Sequence, residues 1–183
     1  MALARLAFRV LLILLILLVL IGLLLPPSAE VERSIVIDAP PDEIFPQLNS
    51  MRAFNTWSPW GGDADTRYEF SGPEQGAGSR MTWQSDSAQA GFGAQEIVAS
   101  VPARQIEMRL EFGEKGGGTA TFLLEPQGGS TLLRWRFTTE FGWDLFDRYV
   151  GLMLDNLIGT SYEKGLRALK TRIEQAQVSG PPG

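Results

Sequence analysis

Twenty consecutive residues, Val10 to Ala29 (VLLILLILLVLIGLLLPPSA), carry no charge, and the first sixteen are Leu, Ile or Val apart from Gly22. A stretch apolar on every side has no wet face, so it predicts a helix that leaves the aqueous phase rather than an amphipathic core element. Sixteen residues at about 1.5 Å each reach about 24 Å, short of a hydrocarbon layer of about 30 Å, and extension back to Leu6 closes the gap. Arg9 then lies near one edge, where its guanidinium reaches the headgroups, and Pro26-Pro27 end the helix. The predicted span is residues 6–25, within an anchor and linker of residues 1–29. A cleaved secretory signal shares the basic start and apolar core, but its core is usually about 7 to 15 residues and is followed by small residues. This run is longer and offers only Pro27-Ser28-Ala29, which favours a retained anchor. Arg5 and Arg9 precede the span and Glu30 and Glu32 are the first charges after it. The positive-inside rule then predicts a single-pass protein of the cell membrane, with a cytoplasmic N-terminus and the domain on the exported (periplasmic or extracellular) side.

The rest of the chain predicts one domain, residues 30–176, followed by a disordered tail, residues 177–183, rich in Gly and Pro. The formal net charge is −5 and there is no basic run, which argues against nucleic acid and against charge-driven docking on anionic lipid. Neither Cys nor His occurs. Disulfides, thiol chemistry, Ser-His-Asp and Cys-His catalysis and nearly all zinc sites are thereby excluded. No cofactor and no metal are expected, and the missing residue types weigh against catalysis.

Val31 to Asp38 (VERSIVID) is β-branched with period-two alternation and predicts a first strand. Pro41 with Asp42 and Glu43 opens a short helix that Pro46 limits. Met51, Phe54 and Trp57 share a helical spacing that Ser58-Pro59 and Gly61-Gly62 end. Six strand-like segments follow: Arg67 to Ser71, Gly78 to Ser85, Gly93 to Val101, Arg104 to Phe112, Thr119 to Glu125 and Thr131 to Phe141. Ile106, Met108, Leu110 and Phe112 alternate with Gln105, Glu107, Arg109 and Glu111, the signature of an antiparallel meander with one wet face. A long helix, roughly Trp143 to Gln175, closes the chain, with Phe146, Val150, Met153, Leu157, Tyr162, Leu166, Leu169 and Ile173 near one stripe. Gly151, Gly159 and Gly165 in its interior mark a bend or a close approach to the sheet.

Particular residues resemble a family. They are Ile37-Asp38-Ala39-Pro40 with Glu43-Ile44-Phe45, then Phe54-Asn55-Thr56-Trp57-Ser58-Pro59-Trp60, Gly76-Ala77-Gly78-Ser79 ahead of Trp83, and Gly165-Leu166-Arg167-Ala168-Leu169-Lys170. With the order of elements, they resemble the polyketide cyclase/dehydrase and lipid transport proteins of the START-like SRPBCC superfamily, over about Val31 to Glu174. The resemblance implies an α+β helix-grip fold (START/Bet v 1-like), a curved antiparallel sheet around a long C-terminal helix, here preceded by one transmembrane helix. It brings no catalytic set.

A sheet gripping a helix leaves a space suited to apolar molecules. The expected ligand-binding side chains are Trp57, Trp60, Trp83, Met108, Trp135, Phe137 and Met153, with Phe146, Val150 and Leu157 facing the sheet from the helix. Each also reads as ordinary core. Trp57 and Trp60, flanking Ser58-Pro59, read either as a packed plug or as the rim of a cavity mouth or membrane interface. Glu96, Arg104, Arg134, Arg136 and Asp155 read as surface charges. Gly116-Gly117-Gly118 after Glu114-Lys115 reads as a hairpin turn and not a phosphate loop, and Asp63 with Asp65 lack the oxygen count of a calcium loop. The favoured function is a membrane-anchored, non-catalytic domain holding a small hydrophobic or lipid-like ligand. One alternative is a cyclase or dehydratase using a buried carboxylate or tyrosine, with Tyr162, Glu96 and Asp155 as candidates. Another is a protein-interaction module of the cell envelope, its cavity filled.

Overall fold

In a computed structural model that describes residues 2–62, 64–85, 91–113 and 116–179, the apolar run forms α1 (Ala2–Leu24). Leu3–Leu24 is long and apolar enough to cross a membrane, a description that an anchor and a signal sequence share. The first strand, β1 (Ser28–Ile37), starts only four residues after α1 ends, so the linker is shorter than the sequence suggests. Ser28 and Ala29 lie in strand pairing, opposite Glu140 and Thr139. The peptide N–H of Phe141 donates to Pro27 O at 2.8 Å and carries the ladder one residue further.

Two short helices follow, α2 (Pro41–Leu48) and α3 (Met51–Trp57), and then the meander β2 (Thr66–Ser71), β3 (Arg80–Ser85), β4 (Phe92–Val101), β5 (Gln105–Glu111), β6 (Gly117–Gln127) and β7 (Ser130–Glu140). The seven strands form one antiparallel sheet in the order β1-β7-β6-β5-β4-β3-β2. Every strand read from the sequence is present, because hairpins with one wet face write their alternation plainly. The fold is thus the α+β grip expected, a curved sheet with a long C-terminal helix and an N-terminal apolar helix.

Much of the shared sequence pattern serves joints. Ser50 Oγ caps α3 by accepting from the Ala53 N–H at 3.4 Å. The Gly76–Ser79 turn bonds backbone to backbone with Asn49 and Ile97, and the Thr131 hydroxyl donates to Ala39 O at 2.7 Å.

The C-terminal helix departs from expectation. It is two helices, α4 (Leu145–Gly151) and α5 (Leu154–Ser179), parted at Leu152 and Met153. Asp144 caps α4 through its carboxylate, which accepts from the Asp147 N–H at 3.1 Å. Across the break the stripe moves by one residue, so Leu154, Ile158, Tyr162, Leu166, Leu169 and Ile173 pack on the core. Phe146, Met153 and Leu157, expected to face the sheet, are exposed, and Val150 is half-buried. α4 lies instead against α1: a side chain at Gly22 would press on Tyr149 and Leu145. All three interior glycines are close approaches, Gly151 to the Phe141 ring, Gly159 to the Arg33 guanidinium, and Gly165 to Pro59 and Trp135. α5 runs four residues past its expected end at Gln175. Asp63, Glu114, Lys115 and tail residues 180–183 lie outside the described residues.

Candidate functional site

Between the sheet and α5 the space is filled by rings. Trp135 on β7 and Tyr162 on α5 stack with centroids 3.9 Å apart and planes 16° from parallel. Phe54 and Trp57 from α3 meet Trp135 edge-on at 6.0 and 5.7 Å, and Phe122 on β6 tilts against it at 4.9 Å. Ring pairs of this geometry each add about 0.5–1.5 kcal/mol beyond the area they bury. Gly165 permits the stack, since a β-carbon there would lie 3.0 Å from Trp135 Cζ3 and 2.8 Å from Pro59 Cδ.

Of the seven expected ligand contacts, Trp135 is one half of the stack and the other six are placed differently. Trp57 is 4% exposed and gives its indole N–H to Gln47 O at 3.0 Å, so it plugs the loop and packs the interior. Trp60 is 48% exposed and lies edge-on to both members of the stack, 6.0 Å from Trp135 and 5.8 Å from Tyr162, covering them from solvent. Trp83 and Phe137 belong to a second chain of rings toward the other end of the sheet, joined through Phe112 at 6.1 and 6.5 Å. Met108 is fully buried, and its sulfur accepts from the Gln95 amide at 3.0 Å. Met153 is the correction: it sits at the α4–α5 break, 59% exposed, outside the ring assembly.

Polar groups in this interior are few and poorly matched. Trp135 is 1% exposed and its Nε1–H has no partner among the described residues. An orphan buried donor of this kind costs about 1–3 kcal/mol. The Tyr162 hydroxyl has no hydrogen bond among them either, and burial holds its pKa well above its ordinary value of 10.0. Gln95 is buried on the concave face, a position that the period-two run Gly93, Gln95, Ile97 places there but that its polarity hid. Arg33 pairs in register with Trp135 and turns to α5, where Asp155 accepts from both terminal nitrogens at 2.8 and 3.0 Å and Glu163 accepts from Nε at 3.2 Å.

The other charged candidates lie outside. Arg80 binds Glu96 at 2.9 Å. Arg134 and Arg136 face outward into a network with Glu32, Glu125 and Glu30. Open depressions occur on the outer sheet face beside Phe92: one of about 640 Å³ at the Gly116–Gly118 turn between β5 and β6, another of about 410 Å³ over Arg67 and Gln84.

Residues 28–174 match the family model described as polyketide cyclase / dehydrase and lipid transport. The chain belongs to that family. Its fold recurs in the Zhui aromatase/cyclase from Streptomyces sp. R1128 (TM-score 0.60, 17% identity, 85% of this chain and 99% of that one). The di-domain aromatase/cyclase StfQ of the steffimycin biosynthetic pathway is also similar (0.62, 13%, 82% of this chain and 52% of that one). So is the Aha1 dimer from Colwellia psychrerythraea (0.55, 18%, 80% and 96%). No curated protein gives a significant match. Identities this low speak to the fold alone. In this chain the polyketide cyclase/dehydrase and lipid transport fold encloses the Trp135–Tyr162 stack, roofed by Trp60.

Proposed function

We propose that the chain is a membrane-anchored, non-catalytic member of its family that holds a small hydrophobic or lipid-like molecule against the Trp135–Tyr162 stack, with Trp60 as the movable cover. The observation that carries this reading is the orphan Trp135 Nε1–H, buried where the Trp135 ring stacks on Tyr162. An apolar ligand bearing one acceptor relieves that cost, and its body replaces Trp60 over the rings. The retained anchor is supported by Arg148, which is 7% exposed and donates to the Gly22, Leu23 and Leu25 carbonyls at 3.2–3.4 Å. These carbonyls are the unpaired, partially negative end of α1. Cleavage at Pro27-Ser28-Ala29 strips Arg148 of those acceptors and cuts at the start of β1. By charge asymmetry the N-terminus is cytoplasmic and the domain lies on the exported side.

A dansyl-labelled fatty acid titrated into the full chain in amphipol tests the site through energy transfer from tryptophan. Saturable one-to-one transfer is expected, weakened about three- to tenfold by Trp135→Phe, which keeps the ring and removes the donor. Unchanged affinity in that variant rejects the assignment. The cyclase or dehydratase reading keeps one of its three candidates, because Tyr162 points inward while Glu96 and Asp155 are ion-paired outside. A phenol so resistant to ionisation, with no carboxylate beside it, is a hydrogen-bond donor more readily than an acid or a base.

A further inference from the structure

Five large apolar side chains of the α4–α5 region stand in the open: Trp143 is 84% exposed, Phe146 75%, Leu152 and Met153 59%, and Leu157 58%. A cluster of this size on a folded domain marks a surface with an occupant. The contacts of α4 with α1 identify it. Leu145, Arg148 and Tyr149, one face of α4, meet α1. The Tyr149 hydroxyl donates to Leu18 O at 2.6 Å. Leu18 lies six residues before the end of α1, so this contact reaches about 9 Å down the helix from its domain end. A helix that touches a membrane span at that depth is level with the boundary between headgroups and acyl chains.

The rotation of α4 agrees. Gly151 faces the domain, against Phe141 and Ala29. Phe146, five residues earlier, points about 140° around the helix from it, away from the domain. Trp143 caps the same end, its ring 5.8 Å from the Arg148 guanidinium, and tryptophan is enriched at bilayer interfaces. Charge selects the kind of surface: Asp144 and Asp147 flank the patch, Asp155 beside it is neutralised by Arg33, and the one cation among these helix residues that touches it, Arg148, is buried on backbone carbonyls. We infer that Trp143, Phe146, Leu152, Met153 and Leu157 form a second membrane contact, inserted into the zwitterionic lipid around α1, so that α4 lies in the interface and fixes the domain's orientation on the bilayer. This rests on the anchored reading of α1.

The chain contains no cysteine, so one introduced thiol carries a unique nitroxide. The full chain in phosphatidylcholine vesicles is labelled at Phe146→Cys, Met153→Cys or Leu157→Cys, with Leu12→Cys as the anchor control and exposed Thr171→Cys, far along α5, as the aqueous control. Accessibility to oxygen is read against accessibility to a water-soluble nickel chelate. Ratios several-fold higher at 146, 153 and 157 than at 171 are expected. Ratios equal to that at 171, with 12 in the bilayer core, overturn the docking and leave the anchor standing. A water-exposed label at 12 removes the anchor and the docking together. Shielding of 146, 153 and 157 from both reagents overturns the proposal in favour of a protein cover, whether a second copy or another chain.

Discussion

Gly159 and Gly165 are both buried, six residues apart in α5, and replacing either by alanine gains the same helix propensity, about 1 kcal/mol. Their surroundings differ in kind. At Gly165 the new methyl meets Pro59 Cδ at 2.8 Å and Trp135 Cζ3 at 3.0 Å, a fixed pyrrolidine ring and an indole locked in the stack. Neither yields without moving the loop or the sheet, and overpacking of this sort costs about 1–3 kcal/mol. Gly165→Ala is therefore expected to lose about 1 kcal/mol net, a fall in Tm of about 2–4 °C for a chain of this size. At Gly159 the methyl meets the far end of the Arg33 side chain, which swings aside at the loss of part of an exposed, solvent-screened ion-pair cluster. Gly159→Ala is expected to be neutral or to raise Tm by a few degrees. Thermal unfolding of the full chain in detergent, followed by near-ultraviolet circular dichroism, reads both stability and the environment of the stacked rings. Equal gains from the two substitutions refute the tight seating of α5 on Trp135. A loss at Gly165 with an unchanged aromatic signal refutes the assignment of its cause.

Tyr162→Phe keeps the stack and removes a hydroxyl that makes no hydrogen bond among the described residues, so unfolding stability is expected to change by less than about 1 kcal/mol; a larger loss in the same melts means the hydroxyl has a partner. Arg148→Met leaves the terminal carbonyls of α1 without their cation, with an expected loss of about 1.5–3 kcal/mol at the α1–α4 contact, read as faster protease cleavage around residues 25–27. Acid stability follows from the carboxylates held below their usual range: Glu32 by the Arg136 and Arg134 guanidinium groups, Asp155 by Arg33, and Glu174 by the Asp38 peptide N–H and Lys170. Groups depressed in the folded state stabilise it above their unfolded pKa and lose that contribution as pH falls through the folded one. Stability is expected to be flat from pH 8 to about 5, since the chain has no histidine, and to decline below about 4.5. A step between pH 6 and 7 contradicts this account.

The meander was legible because each strand shows one wet face, and the apolar run because no residue within it is polar. The shared motifs announced the grip, and the glycines of the C-terminal helix announced its close approaches. What stayed hidden depended on partners in space. The stripe Phe146, Val150, Met153, Leu157 has helical spacing, yet α4 packs on α1 and the break at Leu152–Met153 resets the phase, so Met153 leaves the interior. Nothing local in the sequence states that an apolar residue of α4 has α1 for its neighbour. Trp57 and Trp60 look alike flanking Ser58-Pro59, and only the Gln47 carbonyl, out of reach of sequence spacing, separates the buried plug from the half-open cover. Tyr162 was visible as a titratable candidate, whereas its stack with Trp135 requires the crossing of α5 over β7.

The central claim is that an apolar molecule with one acceptor takes Trp60's place over the Trp135–Tyr162 stack. Native mass spectrometry of the full chain released from lipid nanodiscs measures this most directly. A single adduct of defined mass is expected, retained at activation energies that strip annular lipid and depleted in the Trp135→Phe chain. A bare chain at those energies, or an adduct that Trp135→Phe holds equally well, contradicts it.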